Sequence, residues 1–271
     1  LAIEMEYRKE TYEGENSTYY EFEMSVVYLD LIEFVDENHN GKYDLNDTVV
    51  KTLPLGDQGK VYYESPTSKT INVDNVTGYQ FRLTGIIEGV NLTITAKIFE
   101  SNIGIDGFEL APTQVKIDVE IKNFTFDQSN SLVAFRNQAK TTTELEFEVD
   151  DESEVELESE TFTGSYSISN VAYIDGSLQD IGISTINQEG EIFMYSAYPQ
   201  GEILHDPILG VVDKPSSSDD SETNSDDTNS GIQGDDPDEG SFEIPGYSLV
   251  AFGLISMISI GALIILNKNK F

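Results

Sequence analysis

The run Asp36-Glu37-Asn38-His39-Asn40-Gly41-Lys42-Tyr43-Asp44-Leu45-Asn46-Asp47 sets oxygen-bearing side chains at its first, third, fifth, ninth and twelfth places and a glycine at its sixth. Calcium takes six to eight oxygen ligands, and a loop that bends sharply at the sixth residue brings alternate side chains toward one centre. Asp36, Asn38, Asn40, Asp44 and Asp47, with the backbone carbonyl of Lys42 at the seventh place, are therefore the candidate calcium ligands. Asp at the twelfth place reaches less far than Glu, so the expected affinity is modest, about 10⁻⁴ to 10⁻³ M as in extracellular modules. The competing reading is an Asn/Asp-rich turn without metal. A metal at this spacing is expected to staple a loop rather than to catalyse.

Strands must position such a loop. Leu31–Val35 before it and Thr48–Leu53 after it have strand composition, so a switch of the helix-pair type is not implied. The same period-two alternation recurs along the chain. Phe22, Met24, Val26 and Tyr28 share one face against Glu21, Glu23 and Ser25; Leu92, Ile94, Ala96 and Ile98 repeat it, as do Val115, Ile117, Val119 and Ile121 against Lys116, Asp118, Glu120 and Lys122. Such patterning predicts half-buried antiparallel strands. Glu88-Gly89-Val90 reads as a hairpin turn. Strands are expected every ten to fifteen residues up to Glu191–Tyr198, which predicts an all-β, antiparallel β-sandwich over residues 1–214. If the sandwich is double, Phe126–Asn130 is the expected seam.

Acids occupy every even position from Glu144 to Glu160, with Leu145, Phe147, Val149, Val155 and Leu157 between them. This predicts a hairpin with one wholly acidic side, where opposed carboxylates about 5 Å apart repel by about 1 kcal/mol in water unless cations gather there. Its plainer reading is a solvated face. Asn16, Asn46, Asn75, Asn91 and Asn123 each begin Asn-X-Ser/Thr and are candidate glycan sites. Catalytic constellations are sparse: His39 lies at a non-ligand place of the loop, and His205 and Asp206, adjacent on an extended chain, face opposite ways. No enzyme is expected. There is no phosphate-cradling glycine loop and no Trp.

The net charge is −35, and residues 1–214 alone hold 40 acids against 13 bases. Nucleic acid and anionic lipid would be repelled; calcium, basic or cationic partners and a salty medium suit this surface. With no cysteine there are no disulfides and no thiolate chemistry. From Pro215 to Gly240 the composition collapses to Ser, Asp, Glu, Asn, Gly and Pro, with nine acids and no base, so residues 215–244 are expected to form a disordered stalk. Then comes an uncharged run, Tyr247–Leu266, long enough at about 1.5 Å per residue for a single C-terminal transmembrane helix. Lys268 and Lys270 lie in the short tail 267–271, which puts the tail inside and residues 1–244 outside. An exported N-terminus implies a signal peptide cleaved before Leu1.

The arrangement Pro245-Gly246-Tyr247, apolar run and basic tail resembles the tripartite C-terminal sorting signals of archaeal surface proteins, the PGF-CTERM type, with Tyr247 where Phe is usual. Glu33-Phe34-Val35-Asp36 leading into the cation loop, and Tyr198-Pro199-Gln200-Gly201 leading to His205-Asp206-Pro207, are likewise similar to uncharacterised archaeal surface proteins. The resemblance implies an archaeal cell envelope, with the span at 245–266 removed by an archaeosortase in favour of a lipid. Together these readings lead to the expectation of a membrane-anchored cell-surface glycoprotein with a calcium-stapled ectodomain in a structural or adhesive role. The alternatives are a tethered extracellular hydrolase working through carboxylates, or a solute-binding module.

Overall fold

The structure, a computed structural model, describes residues 1–13, 16–56, 61–141, 147–151, 153–158, 162–188 and 191–213. The stretch expected to form a stalk and the apolar run near the C-terminus lie outside the described residues. Among those residues all regular structure is β, the sheets are antiparallel, and no helix is long and apolar enough to cross a membrane.

The chain opens with a long hairpin, β1 (Ala2–Glu13) and β2 (Asn16–Val35), and β3 (Thr48–Pro54) returns beside the second half of β2. Next come β4 (Val61–Tyr63), β5 (Thr67–Val73), β6 (Val76–Ile87) and β7 (Val90–Phe99), then a small hairpin of β8 (Ile103–Ile105) and β9 (Phe108–Leu110), and β10 (Gln114–Lys122). The second half holds β11 (Leu132–Thr141), β12 (Phe147–Asp151), β13 (Glu154–Glu158), β14 (Phe162–Ser167), β15 (Val171–Ile174) and β16 (Ser177–Asp180). It closes with β17 (Gly182–Gln188), β18 (Glu191–Tyr198), β19 (Ile203–His205) and β20 (Ile208–Asp213). The last two short strands lie beyond the final strand expected from the sequence. Several tight turns place both central residues in the left-handed region: Asp74-Asn75, Glu88-Gly89, Asp106-Gly107 and Asp175-Gly176. That is the geometry whose twist matches a two-residue hairpin.

One sheet runs β1-β2-β11-β18-β17 with β3 also on β2; the other is built around β10, which pairs with β7 on one side and with β19 and β20 on the other. A single apolar cluster draws on both, with Met24, Tyr28, Leu31, Phe135, Met194 and Tyr198 from the first and Leu92, Ile117, Val119, Tyr166, Leu209 and Val211 from the second. Two antiparallel sheets sharing one core fit a β-sandwich. Phe126 packs against that same cluster. Behind it, the buried carboxylate of Glu33 accepts the N–H groups of Asp127 (2.8 Å) and Gln128 (3.0 Å) and the Ser131 hydroxyl at 2.5 Å. Lys51 completes the arrangement at 3.1 Å from Glu33 Oε2. Burial raises the Glu33 carboxyl, but the donors from Ser131, Gln128, Lys51 and Asp127 outweigh it, and the net shift is downward.

A polar thread crosses the core. His205 is buried; its Nδ1 lies 2.8 Å from the Tyr198 hydroxyl and its Nε2 2.7 Å from the Ser169 carbonyl oxygen. A carbonyl can only accept, so Nε2 carries the proton and Nδ1 accepts from Tyr198. Burial pushes the imidazole down to about 4, so it is neutral.

The acidic hairpin is present as β12–β13, with Glu148 directly opposite Glu156 and Val149 opposite Val155. Its strict alternation fails at the turn, because Asp151, not Asp150, stands opposite Glu154. An extra residue is spent there on closing the hairpin, and parity is lost. Val155 and Leu157 are fully buried, and on the next strand Glu156 meets Ser165 and Glu158 meets Thr163. Glu144, Glu146, Glu152 and Glu160 lie outside the described residues.

Candidate metal centre

Residues 36–47 connect β2 to β3, whose ends are joined at Val35 and Thr48. The loop folds back because Asp36 turns both carboxylate oxygens inward: Oδ2 accepts the Gly41 N–H at 2.7 Å and Oδ1 the Asn40 N–H at 3.3 Å. His39 (φ 60°) and Gly41 (φ 75°) adopt the left-handed backbone that this bend requires, and glycine adopts it without a Cβ penalty. The loop's other side-chain oxygens are engaged by its own backbone. Asn38 Oδ1 accepts from the Asn40 N–H (3.0 Å), Asn40 Oδ1 from the Lys42 N–H (2.8 Å) and Asp44 Oδ1 from the Asn46 N–H (2.8 Å). Asp47 closes the ring, Oδ1 accepting from the Glu37 N–H (3.1 Å) and Oδ2 from the Asp44 N–H (2.8 Å).

Asn38 Nδ2 donates to Asp44 Oδ2 at 2.7 Å, a contact that an ion between these two ligands would replace. The three aspartates do not gather at one point, and no group of three or more His, Cys, Asp or Glu side chains is found among the described residues. The candidate set is half amide and carbonyl by design, and those are donors of the hard oxygen type that calcium takes. His39 is exposed, in keeping with a non-ligand place, and so are the candidate glycan sites Asn46, Asn75 and Asn123.

What the sequence did not disclose is how the loop is held. A bulge places Leu29 between the pairs Tyr28–Asn137 and Asp30–Arg136, which switches the faces of β2. Asp30, Ile32 and Phe34 thereby come to the outer face of their sheet, where Ile32, Ala134, Ala197 and Gly182 form one cross-strand row. Three small residues in that row leave a trough, and the loop fills it. Gly41's carbonyl oxygen passes so close to Gly182 that a Cβ on the latter would lie 1.9 Å from it. Tyr43, buried, inserts between Phe34 (ring centroids 5.2 Å apart, 84° between planes) and Tyr195 (4.7 Å, 30°). The Ser184 hydroxyl donates to the Tyr43 carbonyl oxygen at 2.6 Å. Beside this plug Arg136 pairs with buried Asp30 and lies 5.6 Å from the Phe193 ring centroid. Burial raises the Asp30 carboxyl and the arginine works against that rise.

His205 and Asp206 divide as the extended chain requires. The imidazole enters the core, and the Asp206 carboxylate turns to Lys116 on the outer side of β10.

The fold and loop together define a class and no more: an all-β protein of antiparallel sheets with an oxygen-rich loop docked on the outer face of one of them. No protein-family model matches the chain, and no curated protein matches it.

Proposed function

We propose that this chain is a membrane-anchored protein of the archaeal cell surface, with an acidic β-sandwich ectodomain stapled by calcium at Asp36, Asn38, Asn40, Asp44, Asp47 and the Lys42 carbonyl, and a structural or adhesive role at the envelope. The observation that carries the staple is the closed loop. Asp36 and Asp47 already hold its two ends, and Tyr43 ties its middle to the sheet. An ion bound there would fix β2, β3, β17 and β18 against one another. The sequence from Pro215 onward carries the anchoring: an acidic spacer, then Tyr247–Leu266, then Lys268 and Lys270. A strongly negative surface displayed outside a cell gathers divalent and basic partners and keeps neighbouring copies apart.

One experiment tests both halves. Intact cells carrying the protein are treated with protease, and the released fragment is melted with and without calcium. Release of a fragment close to residues 1–214 is expected, and protection until lysis would overturn the orientation. Calcium at ten times its dissociation constant should stabilise the fragment by about 1.4 kcal/mol, a rise of a few degrees in melting temperature. Asp36→Ala should remove the rise; a rise that survives this change, or none in about 10 mM calcium, well above the expected dissociation constant, would overturn the staple.

A further inference from the structure

Lys116 is the most thoroughly buried charged side chain on the outer side of the β10 sheet, with 1% of its side chain exposed. The β8–β9 hairpin closes over it, bringing the Phe108 ring centroid to 5.8 Å from Nζ. Three carboxylates meet the ammonium. Asp118 Oδ1 is in direct contact, Asp206 Oδ2 is at 3.2 Å and Asp106 Oδ2 at 3.3 Å. They are not equivalent. Asp106 is half exposed and stays solvated. Asp118 gives its second oxygen to Lys97 at 2.6 Å. Asp206 alone has a buried oxygen, Oδ1, with no hydrogen-bond partner. Asp206 is also fixed in place, because the next residue's carbonyl accepts the Ile117 N–H at 2.8 Å and Lys116 is in register with Ile208.

We propose that Lys116 and Asp206 condense into an amide, a covalent cross-link between β10 and the segment joining β19 to β20. The chain has no cysteine, so no disulfide can tie these strands, and an amide would. The step balances within the cluster. One proton passes from the Lys116 ammonium to the Asp206 carboxylate, giving amine and carboxylic acid with no change in total charge. The Nζ lone pair attacks Asp206 Cγ, forming the C–N bond. Asp118, held by Lys97, takes a proton from the nitrogen and delivers it to the departing Asp206 hydroxyl, which leaves as water while the carbonyl re-forms. Asp118 ends as it began.

Burial favours the first transfer from the acid's side, since it raises the Asp206 carboxyl. Burial also disfavours charge on Lys116, but its carboxylate partners outweigh that and hold the amine in its charged form, which makes the proton transfer the slow part. Amide formation from acid and amine is opposed in water. Lys116 Nζ and Asp206 Oδ2 are held 3.2 Å apart with both side chains largely withdrawn from solvent, and well-oriented intramolecular pairs reach effective concentrations of about 10⁵ to 10⁸ M, which offsets that opposition. Asp118 is a poor alternative acceptor of the new bond, because it lies two residues along the same strand and is engaged by Lys97.

The test is the mass of the folded full chain, produced in a host that does not glycosylate it, followed by peptide mapping. The wild-type chain should be lighter than its sequence by one water, with the peptide holding Lys116 joined to the one holding Asp206. Lys116→Arg keeps the charge and cannot condense, so it should have full mass. Asp206→Asn should lose ammonia instead and give the same cross-linked product. A wild-type chain of full mass with the two peptides separate would overturn the proposal. So would a lost water that persists in Lys116→Arg, since cyclisation at Asp106-Gly107 or Asp175-Gly176 also releases water but leaves the peptides unlinked.

Discussion

Gly182→Ala adds one methyl group beneath the candidate cation loop. Gly182 does not have the left-handed φ that alanine resists, so backbone strain is absent. In open space such a change would stabilise by about 0.4–1 kcal/mol, through the lower entropy of the unfolded chain. Here the new Cβ would lie 1.9 Å from the Gly41 carbonyl oxygen, 2.6 Å from its carbon and 2.9 Å from the Lys42 Cα, all of them backbone atoms with no rotamer to escape into. The loop must lift by about 1 Å or more to reach ordinary contact. Tyr43 then gives up its ring contacts with Phe34 and Tyr195, about 0.5–1.5 kcal/mol each, and the Ser184 bond to its carbonyl, about 1 kcal/mol. The expected loss is about 2–4 kcal/mol. Urea unfolding reports it through tyrosine fluorescence, since the chain has 14 Tyr and no Trp. Gly56→Ala is the control, because nothing lies within 4 Å of its Cβ. Equal stability of the two variants would mean that the loop is not seated on Gly182 and that Tyr43 is no plug.

Two further outcomes follow from groups within the sheets. His205 is neutral when folded, with its pKa depressed to about 4 from the usual 6.5, so the unfolded chain binds its proton first. Stability therefore falls as pH drops from about 7 to 4, by about 3 kcal/mol in total; His205→Gln should remove this slope between pH 6.5 and 4.5, above the range where Glu33 is lost, and an unchanged slope would refute the assignment. On the acidic hairpin, Glu148→Gln with Glu156→Gln removes a directly opposed pair, so the double variant should gain about 1 kcal/mol at low salt and nothing in about 1 M sodium chloride, where screening is nearly complete. Identical salt dependence in parent and variant would show the face to be merely solvated.

The strands and the loop ends were legible because half-buried strands record their faces in alternation. β2, β7 and β10 fall where Met24, Leu92 and Ile117 put them, and the turn at Glu88-Gly89 follows from residue type. The same turn chemistry stands in Asp106-Gly107 and Asp175-Gly176, where the structure places two more such turns. Alternation does not record parity changes. The bulge at Leu29 sends Phe34 outward and leaves Glu33 buried beside the 125–131 connection, while the sequence shows only Asp30 and Glu33 set among apolar residues, with nothing to mark a change of face. Nor does it say what covers an outer face. Lys116, Asp118, Glu120 and Lys122 look alike on β10, yet of the four Lys116 is the one that is buried, with the Phe108 ring of the β8–β9 hairpin close to its ammonium. Tyr43 reads as a spacer between ligands until the trough of Ala134, Ala197 and Gly182 supplies its partner.

The place of β2 in its sheet bears on how the chain emerges from a ribosome. β1 is followed at once in sequence by its partner β2, but the opposite edge of β2 waits for β11, and the Glu33–Ser131 contact spans 98 positions. At about 5–20 residues per second that edge stays open for several seconds, during which any exposed strand is a template for another molecule. The closure itself is a long-range event, so it forms slowly compared with a local hairpin. A nascent chain this rich in carboxylates repels its neighbours throughout that interval. The acidity that marks the finished chain thus acts earlier as well, keeping half-made sheets apart until the missing strand arrives.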